Sequence, residues 1–173
     1  MTKALLVLLL ALLCSCSFID EDSSEHEKAK LPDIVLIDTS YTLGQSGENP
    51  VYIASDRMEL WSSEDRAETG RISFYQLDEN GEVSLSGRAD RAEIDTETKV
   101  IRLSGNVLFL KSGSDMRIEA EELVFDSEGE ELSAEGTVSV SSEDGTFVGS
   151  GFTADLVSST YAFKAITKGV FAL

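Results

Sequence analysis

The chain has 173 residues, of which 42% are hydrophobic, and a formal net charge of −18 from 14 Lys and Arg against 32 Asp and Glu. That length suits one domain of ~100–200 residues with a buried core, and the apolar share is too high for a disordered acidic chain. No basic cluster is present to neutralise phosphates, which argues against a nucleic-acid partner. One His and two Cys leave too few groups for most zinc sites and most catalytic triads, and rule out a disulfide framework. The composition is that of an acidic globular protein that is not an enzyme.

The chain opens like a bacterial export signal. Lys3 supplies the positive start, and Ala4 to Leu13 is an unbroken apolar run. It is too short for a spanning helix, which needs roughly 20 residues. The stretch Leu13-Cys14-Ser15-Cys16 puts a small residue before Cys16 and a large aliphatic one three positions before it. This resembles a lipoprotein processing site, with residues 1–15 as signal peptide and Cys16 as the lipid anchor. An ordinary cleaved signal or an uncleaved anchor is the alternative. With Cys14 removed and Cys16 acylated, no free thiol is left for catalysis or metal. Residues 16–30 then form an acidic tether, since Asp20-Glu21-Asp22-Ser23-Ser24-Glu25 repel one another and carry no apolar period. His26 lies in that tether, where a catalytic or ligand role has no support.

From Leu31 onward the pattern is that of strands. Ile34-Val35-Leu36-Ile37 follows Pro32, and period-two stretches come next: Arg71 to Phe74, Glu82 to Leu85, Val100 to Leu103 and Thr137 to Val140. Such alternation predicts half-buried strands. Glu79-Asn80-Gly81, Ser112-Gly113-Ser114, Ser127-Glu128-Gly129 and Glu143-Asp144-Gly145 are turn signals, because Asn-Gly and Asp-Gly supply the positive φ that tight hairpins need. The expected class is all-β, as a sandwich, barrel or roll.

The chain also repeats. Gly70-Arg71-Ile72, Gly105-Asn106-Val107, Gly136-Thr137-Val138 and Gly169-Val170-Phe171 recur at intervals of 35, 31 and 33 residues, each Gly expected to open a strand. An acidic element keeps pace upstream: Ser55-Asp56-Arg57-Met58, Ala89-Asp90-Arg91-Ala92, Ala120-Glu121-Glu122-Leu123 and Thr153-Ala154-Asp155-Leu156. One such unit cannot bury its own apolar face, so the units must share a core. Ser86 to Ile94, Leu103-Ser104-Gly105-Asn106-Val107, Ala134-Glu135-Gly136-Thr137-Val138 and Gly149 to Asp155 carry a resemblance to the LptC/LptA (OstA-like) family of lipopolysaccharide export proteins. The resemblance covers residues 31–173 and is greatest to LptC.

That resemblance implies a single open antiparallel β-jellyroll whose apolar groove holds acyl chains. It implies lipopolysaccharide or a related glycolipid as cargo, inner-membrane ABC transporter components as donor, and another LptA-like jellyroll as neighbour. It also implies a periplasmic, membrane-anchored location, the inner membrane before the outer. The chain departs from LptC in one respect, because LptC typically keeps an N-terminal transmembrane helix where this chain offers a lipid on Cys16. Groove candidates are Leu60, Ile72, Phe74, Ile94, Leu103, Val107, Phe109, Ile118, Leu123, Phe125, Val138, Val140, Phe147, Phe152 and Phe163. On periodicity alone these are equally the dry core of any sandwich. The last strand, with Ile166, Lys168 and Val170, is the expected partner edge, guarded only by Lys168.

No cofactor and no metal are expected. Glu119, Glu121, Glu122, Asp126, Glu128, Glu130 and Glu131 are dense but lack the spaced pattern of a calcium loop. A Gly-x-Ser-x-Gly elbow is also missing. The competing reading is a structural or adhesin-type lipoprotein with a dry β-core and no lipid cargo.

Overall fold

The computed structural model describes residues 31–44, 50–113 and 115–172. The predicted signal peptide, Cys16 and the acidic tether lie outside the described residues. Nine strands follow in order: β1 (Ile34–Leu43), β2 (Val51–Trp61), β3 (Arg66–Leu77), β4 (Val83–Asp95), β5 (Val100–Lys111), β6 (Met116–Asp126), β7 (Glu131–Ser142), β8 (Gly145–Asp155) and β9 (Thr160–Phe171). A one-turn 3-10 helix, Ser62–Glu64, joins β2 to β3. Each strand pairs antiparallel with the next in a single sheet ordered β1 to β9. β1 and β9 do not pair with each other, so the sheet is open. Among the described residues no helix is long and apolar enough to cross a membrane.

Aspartates at strand ends build several of the turns. Asp78 Oδ1 accepts the backbone N–H groups of Asn80 and Glu82, both at 2.9 Å. Asp95 Oδ1 does the same for Glu97 at 3.0 Å and Thr98 at 2.7 Å, and Asp126 for Glu128 at 3.0 Å and Gly129 at 2.9 Å. Asp155 Oδ1 accepts from Ser158 N–H at 2.8 Å. A short carboxylate that bonds its own nearby backbone favours a turn through local contacts alone.

The repeated glycines do not open strands, as the sequence suggests; Gly70, Gly105 and Gly136 lie in mid-strand. What reads as two short strands around each Gly is one long strand with a corner in it. In β3, Ala67 and Thr69 point inward, Gly70 and Arg71 are both exposed, and Ile72 and Phe74 point inward again. Asp56-Arg57 in β2, Asp90-Arg91 in β4 and Glu121-Glu122 in β6 make the same double step. Register aligns them, with Arg57 opposite Gly70, Gly70 opposite Arg91, Arg91 opposite Ser104 and Ser104 opposite Glu122. Bulges add an extra residue on this line in β5 and β7, where the register shifts. Each step lets the strand turn a corner while both halves keep their apolar side inward.

The sheet therefore folds along this line into two arms that face each other. Phe74 on β3 stacks on Phe125 of β6 at 6.1 Å between centroids, although the two strands are not neighbours in the sheet. Phe109 meets Phe125 edge-on at 5.6 Å. Polar groups hold the outside of the corner: Arg71 pairs with Asp56, Asn106 Nδ2 donates to Asp90 at 2.7 Å, and Lys164 pairs with Glu135 at 3.1 Å. Inside it, the Ser55 hydroxyl lies 2.8 Å from the Gly70 carbonyl and contacts Thr69 Oγ1, so the corner leaves that carbonyl with a partner.

Candidate functional site

The inner faces of the two arms form one continuous apolar surface. Ile72, Phe74, Ile94, Leu103, Val107, Phe109, Ile118, Leu123, Phe125, Val138, Val140, Phe147 and Phe152 are all buried. Leu60 and Phe163 are partly buried and pack against the same cluster. All the groove candidates but Phe147 thus belong to or pack against one cluster, while Phe147 lies against Tyr161 and Phe171. The structure adds Ile53, Met58, Leu85, Met116, Leu132 and Leu156, which are not among the groove candidates. Ile53 and Met58 flank the charged corner Asp56-Arg57, where period two breaks.

This interior is filled by side chains in contact. Phe109 and Phe125 have no exposed surface, and each such ring contributes about 1.5–3 kcal/mol by leaving water. Anything entering this interior would have to replace those contacts. The outer face is different in kind. A concavity of about 420 Å³ there is ringed by Glu68, Glu93 and Glu122 beside Arg91 and Arg102, with Ala92, Leu103, Leu123 and Val124 also in its lining, so its rim is of mixed charge.

The two edges of the sheet are also distinct. Among the described residues β9 bonds to β8 alone, and its run from Ala165 to Phe171 is exposed on both faces. Ile166 is 58% exposed, Val170 57% and Phe171 71%, and Lys168 is exposed beside them. β1 is the other edge among the described residues, with Ile34, Val35 and Ile37 exposed. Acidic Asp33 and Asp38 flank or interrupt β1, whereas β9 carries Lys164 and Lys168. Both edges offer backbone groups and apolar side chains to another strand, and they differ in charge.

Among the described residues no group of three or more His, Cys, Asp or Glu is placed to hold a metal ion. Glu119 pairs with Arg117 and Glu128 with Lys99, both at 2.7 Å, while Asp126 braces its turn. One polar residue at the inner rim had no place in the sequence reading: Lys111. Its position was readable, because Val107, Phe109 and Lys111 continue one inward series at period two.

The sequence profile of the family described as "Lipopolysaccharide-assembly, LptC-related" matches residues 4–172. No curated protein matches the chain. Among solved structures, LptH of Pseudomonas aeruginosa, described as the LptA-homologous periplasmic component of the lipopolysaccharide transport device, shares the fold. Its TM-score is 0.58 at 11% identity, over 72% of this chain and 95% of that one.

Proposed function

The chain belongs to the LptC-related family of lipopolysaccharide-assembly proteins, and from that membership and the fold we propose that it is a periplasmic roll in glycolipid export. In this reading it receives lipopolysaccharide or a related glycolipid from an inner-membrane ABC transporter and passes it to an LptA-like jellyroll. The observation that carries it is the continuous apolar inner face, which runs from β2 to β9 across both arms and ends at free edges.

Hydrocarbon is held there at about 0.8 kcal/mol per buried CH₂. A few acyl chains could therefore displace the side-chain contacts between the arms while the sugars stay in water. Transfer asks for a second roll in line with the first, and an exposed strand such as β9 extends readily by β-augmentation. Ile166, Lys168 and Val170 are the contacts proposed for that partner. The N-terminal segment, with Cys16 acylated, would tether the roll to the membrane, and the acidic residues 16–30 would keep it off the surface. A dry scaffold lipoprotein has the same core but no reason to belong to this family.

The test places a photoreactive benzoyl-phenylalanine at Phe109, at Phe163, or at the outward Leu110 of the full chain in its native membranes. Lipopolysaccharide adducts at Phe109 and Phe163 and none at Leu110 are expected. Equal labelling at all three positions, or none from a chain that remains folded, would overturn the conduit.

A further inference from the structure

Strand β5 ends on the inner face at the rim of one arm, and Lys111 is its last residue. Register places Lys111 opposite the buried Leu85 and Met116. Its ammonium does not turn out to solvent on its own arm. It reaches the loop between β8 and β9, which is the tip of the facing arm, where it donates to the Leu156 carbonyl and to Ser159 Oγ at 2.8 Å. Leu156 is itself buried in the core cluster, so this loop tucks an apolar side chain under the cation that holds it. The two tips thus meet at one charged contact over an apolar interior.

A second polar group lies at the same rim. Ser142 Oγ is buried and has no hydrogen-bond partner among the described residues. Ser142 pairs with Gly145 at the end of β7, and the register that sets Arg117 opposite Ser141 places it beside Met116, the neighbour of Lys111. An ammonium and an unpartnered hydroxyl at the boundary between water and hydrocarbon fit an amphiphile with an anionic head and apolar tails. Charge adds to this, because a chain of net charge −18 repels anions elsewhere on its surface.

We propose that Lys111 is the latch of the roll's mouth: it holds the arm tips together through Leu156 and Ser159, and an anionic lipid headgroup releases it by taking over its ammonium. The inference rests on the conduit reading for the identity of the releasing lipid, and on geometry alone for the latch. In the closed state the cation seals the rim. When a phosphate-bearing head draws it off, the Leu156 loop is freed and the tails reach Phe109 and Phe125 through the gap.

The experiment uses the full chain in lipid nanodiscs and reads amide hydrogen exchange in the loop from Leu156 to Ser159. Lys111→Met keeps the apolar stem and removes the charge; Lys111→Arg keeps the charge and the donors. Without added lipid, Lys111→Met should exchange roughly tenfold faster in this loop than the parent, as expected for losing a charge-assisted hydrogen bond. Lys111→Arg should stay near the parent. Bisphosphorylated lipid A should speed exchange in the parent, and its dephosphorylated form should not. Parental exchange in a folded Lys111→Met chain would overturn the latch whatever the lipids do. Equal action of the two lipids would overturn the anion step. If neither lipid acts on the parent while Lys111→Met still exchanges fast, the conduit reading and the anion step fall together and the latch stands.

Discussion

Four glycines with one sequence environment turn out to have different physical duties. Gly105 sits in the left-handed region at φ 75°, and a Cβ there would lie 2.8 Å from an Asp90 carboxylate oxygen. That carboxylate accepts from Asn106, so moving it disturbs the corner. Gly70 and Gly136 have open space around a Cβ and no positive φ. Replacing Gly105 by Ala should therefore cost about 1–2 kcal/mol, the left-handed penalty for an L-residue, and the loss of unfolded-state entropy offsets only part of it. Gly70→Ala should lie within about 0.5 kcal/mol of the parent or slightly above it. Urea unfolding of the three chains decides this, and equal shifts at the two glycines would show that the corner does not depend on the backbone at Gly105. The sequence could show that a Gly recurs, because spacing is one-dimensional. It could not show which Gly is crowded, because the crowding comes from Asp90 on the neighbouring strand.

At the scale of elements, turn chemistry was visible and strand length was not. Asn80-Gly81 and Asp144-Gly145 mark real hairpins, since positive φ is written in residue type. The corner strands broke into fragments in the sequence reading because Gly70-Arg71 and Asp90-Arg91 interrupt period two, and only pairing across the sheet shows that the halves are continuous. The aspartates that close the hairpins were equally hidden among 32 acidic residues. They have a measurable consequence. Backbone N–H donors, chiefly from Glu82, Thr98 and Ser158, hold the carboxyls of Asp78, Asp95 and Asp155 below their ordinary value of 3.8. A carboxyl whose pKa is lowered by folding stabilises the fold above its unfolded value, and loses that contribution as pH falls through the folded value. A chain with Asp78→Asn, Asp95→Asn and Asp155→Asn keeps an acceptor in each turn and loses the titration. Between neutral pH and about pH 5 the difference in melting temperature between parent and triple variant should be constant, and below pH 4 it should shrink. Chains whose melting curves stay parallel down to pH 2 would show that these turns contribute no pH-dependent stability.

For the whole molecule the question is whether two arms make one folding unit. The strands form a simple meander, so each pairing needs only its neighbour in sequence, and a sheet built this way could fray arm by arm. The interior argues otherwise. Phe74 and Phe109 on one arm share their ring contacts with Phe125 on the other, and Lys111 ties the tips. Neither arm has an inner face that is covered without the other, and an uncovered β-face of this size is not stable in water. Trp61, the single tryptophan, is buried at the end of β2 beneath the Arg66 guanidinium, 4.1 Å from the ring centroid. It reports on one arm, while far-UV circular dichroism reports on both. The two signals should trace one superimposable urea transition, as all-or-none unfolding requires. If Trp61 changes at a lower urea concentration than the sheet signal, the arms separate as independent units. The interior would then open on its own, and the closed roll would be a weakly held state instead of the ground state.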